Sequence, residues 1–118
     1  MHFKMDNSIT RDTLLAALRN HIGRRQGVTV TALARECLGY EPTRGDERRV
    51  RELVVELRLE GHHVCATTEA GYFLALTPDD LADTIAFLRK RAMSSLQQIA
   101  AMKHVSVPDL FGQMHLPT

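Results

Sequence analysis

The stretch from Thr43 to Leu76, TRGDERRVRELVVELRLEGHHVCATTEAGYFLAL, constrains this chain more than any other. Val50, Leu53, Val54 and Leu57 recur at i, i+3, i+4 and i+7, the spacing that lines one face of a helix with apolar side chains. Gly61 ends that helix, because a glycine takes the left-handed conformation that a C-cap needs. His62–Thr68 and Tyr72–Leu76 then read as strands. The short turn Glu69-Ala70-Gly71 joins them, with a glycine to supply positive φ. Any fold for this chain must accommodate a helix that runs through one glycine into a β-hairpin.

Upstream, the spacing predicts a first helix from about Asp12 to Arg24, capped by Thr10 or Ser8 and buried along Leu14, Leu15, Leu18 and Ile22. Gln26-Gly27 ends it. Val28-Thr29-Val30 reads as a short β piece free to pair with the hairpin. Thr31 caps a second helix, Ala32–Cys37, with Leu33, Ala34, Cys37 and Leu38 turned inward and Gly39 closing it. The linker Tyr40–Asp46 leads into the third helix, with Thr43 or Asp46 as its cap. Downstream, Thr77-Pro78-Asp79-Asp80 is a strong helix start: a hydroxyl cap, proline at the first position, acids in the first turn. The helix it opens runs to about His104 without an internal glycine or proline. The expected organisation is an arm over residues 1–9, a domain over 10–76, a long helix over 77–104 and a tail over 105–118.

A length of 118 residues supports one domain with a real core. The formal net charge is only +1, so no global basic signal for nucleic acid is present. The charge is uneven: residues 1–60 hold 11 Lys/Arg against 9 Asp/Glu, and residues 61–118 hold 4 against 5. Cys37 and Cys65 alone make no disulfide framework, and a reducing cytoplasm is the expected compartment. No apolar run approaches the roughly 18 residues of a membrane span, and the N-terminal MHFKMDNS lacks the apolar stretch of a secretory signal.

The order helix, short strand, helix, helix, hairpin resembles the winged helix-turn-helix domain of the biotin-operon repressor type. The residues that carry the likeness are Val28-Thr29-Val30, Val50–Leu57 with Gly61, and Gly71-Tyr72-Phe73-Leu74, over about residues 12–76. The whole chain is also similar to small winged-helix proteins of phages and prophages, which append a long helix opened by a Thr-Pro-acid-acid cap and a short tail. The resemblance implies an α+β, mostly α fold: a three-helix core, a β-hairpin wing and a long C-terminal helix. It also implies binding of double-stranded DNA, in the transcription regulation or replication of a mobile element. A protein-interaction module, a winged helix that binds a host or phage protein, is the alternative.

Arg44, Arg48, Arg49 and Arg51 cluster at the start of the third helix. The apolar stripe fixes the roll of that helix, so Arg48, Arg51 and Arg49 are expected to point outward. In this fold the helix enters the major groove, where arginine pairs with guanine or phosphate. Against this, Thr43–Glu60 holds five arginines and five acids, and Glu52 and Glu56 are placed to pair with Arg48 along the helix. Arg24 and Arg25 are candidates for phosphate contact or for a helix-dipole role. Thr43 joins the expected DNA-binding set, as do Thr67 and Thr68 at a hairpin tip that lacks Lys or Arg. His63 and Cys65 share a strand face, and Cys37 is a further donor. Four ligands at zinc-like spacing are absent, however, and both cysteines read as small buried apolar groups. No cofactor is expected, and no arrangement supports an enzyme.

Leu81, Ile85, Leu88, Ala92, Leu96, Ile99 and Met102 form the stripe of the fourth helix. A helix of about 27 residues reaches roughly 40 Å, beyond what a core this size needs. Leu88, Ala92, Leu96, Ile99 and Met102 are therefore the expected homodimer seam, with folding back over helix one as the alternative. In the tail, Val107-Pro108-Asp109-Leu110-Phe111 and Gln113-Met114-His115-Leu116-Pro117 each hold part of a sliding-clamp docking pattern. The competing expectation is that Leu110, Phe111 and Met114 fold back as a hydrophobic latch.

Overall fold

A computed structural model of the chain describes residues 8–114. The elements are α1 (Arg11–Leu18), a 3-10 turn (Arg24–Gln26), α2 (Val30–Leu38), α3 (Arg44–Leu59), β1 (Val64–Thr67), β2 (Gly71–Leu74), α4 (Pro78–Lys103) and α5 (Val107–Gln113). The fold is α+β and mostly helical, with one antiparallel hairpin. The chain divides into two compact units, residues 1–84 and 85–118.

The core of the first unit follows the apolar spacing. Val50, Leu53, Val54 and Leu57 are all buried, as their period requires. They join Leu14, Ala17 and Leu18 of α1, Leu33 and Ala34 of α2, and Val64 of β1 in one cluster. Each leucine or valine among them contributes about 1.5–3 kcal/mol when removed from water. Ile9 belongs to this cluster at 1% exposure. The expected arm therefore ends before it, and residues 1–7 lie outside the described residues.

Helix one is shorter than its pattern suggests. It starts at the expected Thr10 cap and ends at Leu18, six residues before Arg24. The hairpin captures the chain that follows. The Leu74 N–H donates to the His21 carbonyl at 2.8 Å, and the Gly23 N–H donates to the Leu74 carbonyl at 2.8 Å. Ile22, expected in the buried stripe, instead bridges to Leu74 and is exposed. Six residues on, Val28 and Tyr72 exchange both backbone bonds, at 2.9 and 2.7 Å. The short β piece is thus one bridge at Val28, because Thr29 caps α2 and Val30 is already helical. The expected Thr31 cap is displaced by two residues. Arg44–Asp46 are helical, so the α2–α3 linker is also shorter than Tyr40–Asp46.

In the hairpin, Cys65 faces Phe73 and Thr67 faces Gly71. Cys65 and Phe73 are fully buried. The start of α4 closes over β1: the Ala66 N–H donates to Thr84 Oγ1 at 3.3 Å, and the Cys65 thiol donates to the Asp80 carbonyl at 3.5 Å. The first unit therefore extends past residue 76 to Thr84.

In the second unit, α4 ends where His104 turns left-handed at φ 57°. The Val105 N–H donates back to the Ala100 carbonyl at 2.9 Å. The expected tail is helical from Val107 to Gln113, capped by Ser106 with Pro108 in its first turn.

Candidate nucleic-acid interface

Thr43 opens α3 with a reciprocal cap. Its Oγ1 accepts from the Asp46 N–H at 3.2 Å, and its own N–H donates to Asp46 Oδ2 at 2.8 Å. This satisfies two otherwise orphan donors. It also occupies the Thr43 side chain, which was expected to meet DNA.

The acids of α3 and its C-cap largely have partners within the chain. Asp46 belongs to the cap. Glu47 Oε2 accepts from Thr31 Oγ1 at 2.7 Å. Glu60 pairs with Arg11 at 2.6 Å, and Glu56 lies 4.0 Å from the same guanidinium. The expected Glu56–Arg48 pair does not form. Two arginines are committed as well. Arg49 Nε donates to the Ile9 carbonyl at 3.3 Å, tying down the segment before α1. Arg58 Nε donates to the Val64 carbonyl at 2.8 Å, and burial lowers its pKa from the ordinary arginine value.

Arg44, Arg48 and Arg51 remain. All three are exposed, and none makes a hydrogen bond or ion pair among the described residues. They recur at i, i+4 and i+7, so they share one face, opposite the buried stripe. Val55 and Leu59 extend that face toward the C-terminus, and Leu59 is 82% exposed. The zero net charge of Thr43–Glu60 therefore hides a segregation. Four of the five acids have partners elsewhere in the chain, and Glu52 is the one left without a partner among the described residues, beside three uncommitted arginines.

The other expected DNA-binding residues divide. Arg24 and Arg25 sit in the 3-10 turn rather than at the end of α1. Arg24 Nη2 meets Asp83 at 2.7 Å and its Nε meets Asp80 at 3.1 Å. These bonds, first to Asp83 and then to Asp80, raise the guanidinium's pKa and withdraw it from phosphate. Asp80 also accepts from the Leu76 and Thr77 N–H groups at 3.0 and 3.3 Å. The Leu76 N–H, with help from Arg24 and Thr77 and against the effect of burial, holds that carboxylate below its ordinary range. Arg25 stays exposed and uncommitted. In the hairpin, Thr67 Oγ1 accepts from the Ala70 N–H at 2.9 Å, so it shapes the turn, while Thr68 is exposed.

The two thiols are poor ligands as placed. Burial first, then Glu36, pushes Cys37 up to about 11, and burial raises Cys65. His62 and His63 are exposed. Of the expected dimer seam, Leu96 and Ile99 are half-buried within the chain, while Leu88, Ala92 and Met102 are exposed, Met102 to 75%. Leu110 is buried, Phe111 half-buried and Met114 exposed; His115, Leu116 and Pro117 lie outside the described residues. No helix among the described residues is long and apolar enough to cross a membrane.

No family model, curated protein or solved structure matches the chain.

Proposed function

We propose that residues 10–76 act as a winged helix-turn-helix that binds double-stranded DNA, with α3 in the major groove and the hairpin as the wing. The observation that carries this reading is the uncommitted row Arg44, Arg48 and Arg51 on the solvent face of α3. From Arg44 to Arg51 the helix rises about 10 Å, three base steps at about 3.4 Å each. The face therefore matches a run of adjacent base pairs. Arginine is suited to this use because its planar fork pairs bidentately with the O6 and N7 of guanine.

The hairpin supports the same reading. Backbone bridges at His21–Gly23 and at Val28 brace β2 on the side away from β1, which makes a firm rather than a floppy wing. Its tip carries Thr68 and Glu69 and no cation, so its share of the binding is small. By the resemblance to phage and prophage proteins, the bound DNA is an operator or an origin of a mobile element.

The test is selection from a random duplex pool with the full chain, followed by mobility shift on the enriched sequence. Enrichment of one sequence, with affinity that falls steeply as salt rises, is the expected result. Failure to enrich any sequence at low salt overturns the reading.

A further inference from the structure

Between Asp83 and Asp109 the chain contains no Asp or Glu, yet this interval holds Arg89, Lys90, Arg91 and Lys103. Here α4 is exposed and apolar as well as basic. Ile85, Phe87, Leu88 and Met93 are 43%, 51%, 38% and 38% exposed. Ile85, Leu88 and Ala92 recur at i, i+3 and i+7 and form one stripe. Arg89 borders it. On the adjoining face Arg91 lies 5.8 Å from the centre of the Phe87 ring. Arg89 and Lys90 have no partner among the described residues.

We propose that the 85–93 segment of α4 is a docking site for an acidic, amphipathic segment of another protein. The partner's apolar side chains pack on Ile85, Leu88 and Ala92, and its carboxylates meet Arg89 and Arg91, which flank the stripe on either side. Helix-on-helix docking of this kind reads apolar anchors at the same spacing, and complementary charge sets the choice of partner.

Charge decides against a second copy of this segment. Parallel self-pairing through the stripe sets Arg89 beside Arg89, and in either orientation residues 84–108 supply no acid to meet the flanking cations. A nucleic-acid backbone neutralises the cations but leaves Ile85, Leu88 and Met93 in water. A lipid surface wants its cations confined to the polar side of a helix. Here an apolar residue breaks that division instead: Phe87 lies about 130° round the helix from the stripe, on the polar side, and is 51% exposed.

The probes are three labelled synthetic helical peptides, titrated with the full chain by fluorescence anisotropy. One carries leucines at i, i+3 and i+7 among glutamates. The second replaces the glutamates with lysines. The third keeps the glutamates and replaces the leucines with glutamine. The first peptide is expected to bind saturably, and the other two at least about tenfold more weakly, a difference of 1.4 kcal/mol. Arg89→Gln with Lys90→Gln and Arg91→Gln, and separately Leu88→Asp, should each abolish the preference. Both variants alter exposed positions, and an unchanged circular-dichroism melt verifies that they fold. Equal binding of all three peptides overturns the proposal. So does tighter binding to phosphatidylserine vesicles, or a dimer in light scattering that Leu88→Asp converts to monomer.

Discussion

Thr31 and Glu47 join α2 to α3: the Thr31 hydroxyl donates to the Glu47 carboxylate at 2.7 Å. Thr31 is free to do so because Thr29, not Thr31, caps α2. The bond holds the two helices of the proposed helix-turn-helix in register and draws a negative charge off the solvent face of α3. A hydrogen bond to a charged group is worth about 1.5–3 kcal/mol. Glu47→Ala is therefore expected to destabilise the fold by about 1–2 kcal/mol in urea melts, less than the full value because the site is half-exposed. Thr31→Val should cost a similar amount, and the double variant should cost much less than the sum. Additive losses would show that the pair does not act as a unit.

Arg48 and Arg51 face solvent without partners, so replacing them should leave folding intact. If they meet bases, Arg48→Ala and Arg51→Ala each weaken binding to the selected duplex by about 1–3 kcal/mol and relax preference at one or two positions. Arg25→Ala, on a separate exposed turn, should instead weaken all duplexes alike and flatten the salt dependence. Glu52→Gln removes the acid left exposed on the same helix and should tighten binding to every sequence. Anisotropy at two salt concentrations separates these patterns. Unchanged affinity in both arginine variants would rule out α3 as the reader.

Much of this architecture was legible in the chain because local and tertiary preferences agree there. The α3 stripe, the Thr43 cap, Gly61 at a φ of 97° and the hairpin all follow from spacing and turn chemistry. The end of α1 was not legible. Residues 19–24 carry a helical pattern, and only pairing of His21 and Gly23 with Leu74 overrides it. That pairing spans about fifty residues, and its one local mark is Gly23, which turns left-handed at a φ of 86°. The candidate interface was legible in its arginines but not in their availability. Net charge counts acids that the fold has already engaged, and Arg11, Thr31 and Thr43 all lie outside the charge pattern of α3 itself. The basic interval of α4 was visible in the sequence as a run without acids.

Gly71 begins β2 at a φ of 80°, and a Cβ built on it would lie 2.3 Å from the Val28 carbonyl oxygen. Both strands approach there through backbone, so nothing flexible can yield. Gly27 meets the same constraint from the other side, with a Cβ 2.1 Å from the Ala70 oxygen. Gly71→Ala must therefore break the Val28–Tyr72 bridge as well as bear about 1–2 kcal/mol of left-handed strain. The expected loss exceeds about 3 kcal/mol in all, and amide exchange at Val28 and Tyr72 should accelerate ahead of the helices. A melt unchanged within experimental error would mean that the hairpin is not braced against the 21–28 segment.

Asp80 provides the pH test. It is 6% exposed and accepts from Leu76, Thr77 and Arg24 at once. These donors favour its charged form and hold its folded pKa below the ordinary value, which is about 3.9 in an unfolded chain. A carboxylate depressed in the folded state binds its proton more readily when unfolded. Its stabilisation is therefore complete above the unfolded value and is lost as pH falls through the folded one. Arg24 stays a cation throughout this window, so the change belongs to Asp80. Asp80→Asn should lower stability by the same amount at pH 7 and pH 5. The gap between the variant and the parent should then shrink below about pH 4. Arg24→Gln removes one of the donors and leaves the two backbone N–H groups, so its loss should be smaller than that of Asp80→Asn. Urea melts from pH 7 to pH 2 make the comparison, and a gap that stays constant down to pH 2 would show that the Asp80 charge contributes nothing to the join between the 3-10 turn and α4.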